Sequence, residues 1–173
     1  MATRVICYSL TGATRTVCLR VADHAGAELH QIRAPRVRAG MWGMLRWGVG
    51  TLLGHATPVI GPDTCWRAGD TVILGAPVWA GRVAVPMVEW LRAQPPLPPK
   101  VGLVMTSGQT RLPGAAFDRF AAVAGVAAAA TLHVCERDAR ARRFDDRIKI
   151  FLDRLEETDL PTARAPGSSP PPC

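Results

Sequence analysis

The run Thr71-Val72-Ile73-Leu74-Gly75 sets three large aliphatic side chains in a row between Gly69-Asp70 and Ala76-Pro77. A strand with one wet face alternates polar and apolar residues, so an unbroken apolar run needs cover on both faces. That requirement makes it a central strand of a parallel sheet. Val101 to Met105 repeats the pattern and stops at Thr106-Ser107-Gly108, and Arg4 to Leu10 is a β-prone run that breaks at Thr11-Gly12. Ala129 to Val134 supplies a fifth strand, while Ala27 to Ile32, with Glu28, His30 and Gln31 polar, reads as an edge strand.

Amphipathic helices separate these runs. Val17, Cys18, Val21, Ala22 and Ala25 share one face ahead of a Gly26 stop. A helix from about Ala84 to Ala93 ends at Pro95-Pro96-Leu97-Pro98-Pro99, Phe117, Phe120, Ala121 and Ala124 mark another, and a last one begins at Arg140 with Phe144, Ile148, Phe151, Leu152 and Leu155 as its stripe. Between Pro35 and Pro62, Met41 to Leu53 keep helical spacing, weakened by Gly40, Gly43, Gly48 and Gly50. Strand and helix alternate throughout, which predicts an α/β doubly wound sheet of five parallel strands with helices on both faces. At 173 residues there is one domain, expected over 1–157, and a Pro/Ser-rich tail over 158–173 expected to be disordered.

Composition removes several function classes. Hydrophobic residues are 48% and charged residues 20%, enough for a full core. No apolar run reaches the roughly 18–20 residues that cross a bilayer, and the N-terminus lacks a signal-peptide pattern, so a cytoplasmic protein without a membrane span is expected. The five cysteines are scattered without a C-x-x-C pair, and the histidines show no ligand spacing, so reduced thiols and no metal are expected. Net charge is +7, and every basic residue except Lys100 and Lys149 is arginine. The run Arg137 to Arg143 is interleaved with Asp138 and has no aromatic platform, so it reads as a solvated helix start and no nucleic-acid partner is expected.

In an open parallel sheet the ligand lies beyond the carboxyl ends of the strands. The first such loop, Ser9-Leu10-Thr11-Gly12-Ala13-Thr14, carries three hydroxyls and a glycine into a helix N-terminus, where backbone N–H groups can surround a phosphate. The bland alternative is a helix cap. The loop lacks the lysine of a nucleoside-triphosphate loop and the three glycines of a dinucleotide fingerprint, which points to a monoester.

Ser9-x-Thr11-Gly12-x-Thr14 resembles the phosphate loop of flavodoxins, and Gly75-Ala76-Pro77-Val78-Trp79-Ala80-Gly81 resembles their second flavin loop. The resemblance covers about residues 4–155 and implies a flavodoxin-like sheet in the order 2-1-3-4-5 that binds FMN. By that resemblance the cofactor-binding residues are Ser9, Leu10, Thr11, Gly12, Ala13 and Thr14, then Pro77, Val78, Trp79, Ala80 and Gly81, then Thr106, Ser107, Gly108 and Gln109, with no catalytic side chain. Trp79 would stack on or flank the ring, whereas Trp42, Trp47, Trp66 and Trp90 are expected to pack.

The chain departs from the family at three points. Ala13 stands where an Asn commonly ties the phosphate loop, the third loop has no aromatic residue to cover the outer ring face, and the charge is basic where flavodoxins are acidic. The resemblance implies an electron-transfer protein; the basic charge, with Arg15, Arg82 and Arg111 each beside one of the loops, adds the expectation that its redox partner or small-molecule acceptor is acidic, and a monomer or homodimer is expected. One alternative is an FMN-dependent NAD(P)H:quinone-type oxidoreductase; another is a non-redox binding module that kept the fold. A receiver-type phosphorelay domain fails, because Gly75-Ala76 and Ser9-Leu10 occupy the places of its acidic residues.

Overall fold

The computed structural model describes residues 1–34, 59–62, 64–112 and 114–158. Its strands are β1 (Thr3–Tyr8), β2 (Glu28–Ile32), β3 (Thr71–Trp79), β4 (Arg82–Val83), β5 (Lys100–Ser107) and β6 (Ala128–Cys135). The helices are α1 (Ala13–Ala25), α2 (Val85–Arg92), α3 (Ala115–Ala124), α4 (Glu136–Ala141) and α5 (Asp145–Glu157). Five strands form one parallel sheet in the order β2-β1-β3-β5-β6, and the short β4 folds back antiparallel on β3. With β4 set aside, this is the expected 2-1-3-4-5 order. The helix read over Met41 to Leu53 and the tail from 159 onward lie outside the described residues.

Side chains alternate between the two faces of each strand, and two cores result. Val5, Cys7, Ile73, Val104 and Leu132 pack under α1 and α5, whereas Ile6, Leu74, Leu103 and Met105 pack under α2 and α3. On the first face two glycines let helices approach closely. A Cβ on Gly75 would lie 2.1 Å from Cys18 Sγ, and one on Gly102 would lie 2.7 Å from the Phe151 ring. Cys18, wholly buried, donates its S–H to Cys7, which draws the Cys7 thiol down and holds the Cys18 thiol up. Among the described residues Cys7, Cys18 and Cys135 are free, as read from the sequence. The packing role expected of Trp90 holds, since it is 3% exposed in the second core, and Trp66 carries the Arg4 guanidinium 5.6 Å over its ring.

Two elements differ from their sequence readings. β3 does not stop at Gly75 but runs on to Trp79, so Pro77, Val78 and Trp79 belong to a strand and not to a loop. The ladder to β1 ends at Cys7 and Gly75, while Pro77 still pairs in register with Thr106 and its carbonyl accepts from Ala84 N–H at 3.0 Å. Pro77 therefore stands where one edge of the strand is no longer paired to β1, a place that tolerates a residue without N–H. The last helix is also two helices. Arg142, at φ 54°, caps α4 in the left-handed region, Phe144 starts α5, and the basic run lies on α4 with Arg140 paired to Glu136 and Arg147 to Asp138.

Candidate functional site

The carboxyl ends of β1, β3 and β5 bring the three expected loops to one edge of the sheet. In the first, Ser9 Oγ accepts the Gly12 N–H at 3.1 Å, and the Gly12 carbonyl accepts from both the N–H (2.9 Å) and the hydroxyl (3.1 Å) of Thr16. Gly12 sits at φ 93° with nothing within 4 Å of where a Cβ would be, so the backbone turns tightly and faces open space. Among the described residues no side chain caps α1. The capping alternative therefore fails, and the first-turn N–H groups, which have no partner within a helix, remain available to an anion. Thr11 is exposed, Leu10 leans on the second core, and Ala13 is 9% exposed.

Thr14 is placed differently from its neighbours. It is 1% exposed, and its hydroxyl lies 2.7 Å from that of Thr106, tying the first loop to the third. In the third loop, Ser107 Oγ accepts the Gln109 N–H at 3.2 Å and lies 2.9 Å from His133 Nε2 on β6. Burial lowers the His133 imidazole pKa, the Arg147 guanidinium lowers it further, and Asp138 opposes both, so the neutral ring is favoured. Gly108 and Gln109 are exposed, and a Cβ on Gly108 would meet nothing within 4 Å.

The second loop is a two-residue hairpin turn. Trp79 pairs with Arg82, and Ala80 (φ 49°) and Gly81 (φ 75°) both take positive φ, as this tight turn requires. Arg119 on α3 donates from Nη1 to the Gly81 carbonyl at 3.0 Å. Trp79 is half-buried and meets Tyr8 edge to face, with centroids 5.9 Å apart and planes at 83°. Tyr8 is 3% exposed, its hydroxyl has no partner among the described residues, and burial pushes its pKa up to about 12.

Tyr8, Arg119 and His133 join the site unannounced by the loop motifs. Tyr8 had a signal, being the last strand residue before Ser9, and so did His133, near the end of the fifth strand. Arg119 had none, because 38 residues separate it from Gly81. Among the described residues no group of three or more His, Cys, Asp or Glu is placed to hold a metal, and no helix is long and apolar enough to cross a membrane.

The architecture matches solved flavoproteins across nearly their whole length. A flavoprotein from Lactobacillus acidophilus in complex with FMN aligns at TM-score 0.62 and 18% identity, over 82% of this chain and 97% of that one. A protein of Bacteroides uniformis, provisionally described as a flavoprotein, aligns at TM-score 0.68 and 15% identity, over 88% and 97%. The fold is flavodoxin-like. An NADH:FMN oxidoreductase in its apo form aligns more loosely, at TM-score 0.51 and 11% identity, over 94% and 92%. No family model and no curated protein matches the sequence.

Proposed function

We propose that this chain binds FMN at the carboxyl edge of its sheet and serves as an electron-transfer flavoprotein. The observation that carries the reading is the uncapped start of α1, facing open space across Gly12. Its first-turn N–H groups, with the Thr11 hydroxyl, would hold the phosphate. Tyr8 supports the fit, because a buried hydroxyl without a partner costs free energy that a polar ligand atom recovers. Trp79, held edge-on by Tyr8, would flank the ring, and Ala80, Gly81, Gly108 and Gln109 would line its edge. FMN supplies the redox chemistry, and the chain supplies orientation and the surrounding field.

A second reading is supported by the third loop. Gly108 and Gln109 are exposed and carry no aromatic ring, so the outer face of a bound flavin would be open to a second ligand such as NAD(P)H or a quinone. The expectation of a soluble, cytoplasmic protein accords with either.

The test is titration of FMN into the flavin-free chain, followed by quenching of flavin fluorescence. Binding is expected, and Thr11→Val should weaken it by about 1–2 kcal/mol through one lost hydrogen bond to a charged group. Absence of binding would overturn the proposal. Steady-state oxidation of NADH and NADPH by the FMN-loaded chain, with and without a quinone, then distinguishes carrier from enzyme.

A further inference from the structure

The loop segments 9–15, 76–84 and 106–112 contain Arg15, Arg82 and Arg111 and no acidic residue. The fold gathers all three segments at one edge of the sheet and adds a fourth cation that no local motif announces. Arg15 lies one residue after Thr14, which is bonded to Thr106 of the third loop, and Arg82 pairs with Trp79 across the hairpin. Arg119 reaches from α3 to the Gly81 carbonyl. All four are exposed. Arg20, Arg92, Arg140 and Arg147 on the helix flanks have carboxylate partners, whereas none of the four rim arginines forms an ion pair with a described residue. The nearest carboxylates in sequence are Glu89 on α2, which is paired with Arg92, and Asp118 on α3 beside Arg119.

We propose that this arginine rim is the docking surface for an acidic protein redox partner, a reading that rests on the electron-transfer function proposed above. Four cations on four separate segments suit a carboxylate-bearing protein face better than one small anion, which needs donors converging on a point. Exposed charges of one sign around a cofactor mouth steer an oppositely charged protein and orient it with the cofactor edge toward the contact. Salt screens such charges over about 8 Å at physiological ionic strength, so the association rate must fall as salt is added.

Cytochrome c in its native basic form and after full succinylation presents the same haem behind opposite surface charges. The FMN-loaded chain, reduced with stoichiometric dithionite, passes one electron to each ferric haem, which becomes ferrous and is read in a stopped-flow spectrometer. The rate with the succinylated form should fall by about tenfold or more between low and high salt, while that with the native form stays flat or rises. Arg82→Gln with Arg111→Gln should flatten the salt dependence. Arg67→Gln with Arg154→Gln, which removes the same charge away from the rim, should preserve it. A native form that is faster at low salt and slows with added salt overturns the proposal, and so does a control pair that flattens the dependence equally, since bulk charge would then suffice.

Calorimetric titration of the flavin-free chain keeps the two proposals separable. Binding of succinylated but not native cytochrome c, lost in the Arg82/Arg111 variant, supports the rim whether or not flavin is retained. If FMN binds and electrons pass with no charge preference, the rim fails and the flavin reading stands.

Discussion

Thr14 and Thr106 share a hydrogen bond of 2.7 Å at 1% exposure each, so in the folded chain neither hydroxyl has water as a substitute partner. Thr14→Val should therefore destabilise the protein by about 1–3 kcal/mol, chiefly by stranding the Thr106 oxygen. The double variant with Thr106→Val should cost less than the sum of the single changes, a shortfall that urea unfolding measures directly. Tyr8 behaves in the opposite sense. Its hydroxyl already lacks a partner among the described residues, so Tyr8→Phe should stabilise the flavin-free chain by about 1 kcal/mol and, if FMN uses that hydroxyl, weaken FMN binding. A thermal melt of the flavin-free variant and an FMN titration read the two effects separately. The Ser/Thr pattern of the first loop was legible as a set of hydroxyls, but not where each one points. Thr14 Oγ1 is committed to a strand 92 residues away, which no local pattern encodes.

At the level of elements, the hairpin after β3 stores strain that the loop reading did not reveal. Ala80 holds φ 49°, a conformation that costs a residue with a Cβ about 1–2 kcal/mol and that Asn tolerates. Ala80→Asn creates the Asn-Gly pair favoured in such turns and should raise stability by about 0.5–1 kcal/mol in chemical denaturation. The glycine of β3 works the other way. Gly75→Ala would force its methyl to within 2.1 Å of Cys18 Sγ, so α1 must shift, and a loss of about 1–3 kcal/mol is expected in the same assay. The strands were legible because burial on both faces leaves an unbroken apolar run. The extension of β3 through Pro77 was not, because proline reads as a breaker until the neighbouring strand is known to have ended. The split between α4 and α5 was hidden for a similar reason, since Arg142 carries no signal of the left-handed geometry it adopts.

Across the whole molecule the doubly wound parallel sheet followed from the βα alternation and its strand order from the resemblance to flavodoxins, while the ties that join strand ends, Thr14 to Thr106 and Ser107 to His133, came only with the fold. The second tie links the third loop to acid sensitivity. His133 is held below the ordinary imidazole value of 6.5, first by burial, then by Arg147, against the pull of Asp138. The unfolded chain therefore binds a proton near pH 6.5 that the folded chain resists, so the unfolded state carries more protons in the window below that value and stability falls as pH drops through it. A second loss follows at lower pH. Asp70 accepts N–H bonds from Ala2 and Arg67, which hold its carboxyl below 3.8, so its contribution is present above that value and disappears as pH falls through its lower folded pKa. Urea midpoints measured from pH 8 downward should show these two declines in sequence. His133→Gln, which keeps a polar group near Ser107 but cannot titrate, should remove the first and leave the second. A first decline that persists in that variant would assign it to another group, and FMN affinity measured across the same pH range would show whether the third loop senses the proton as well.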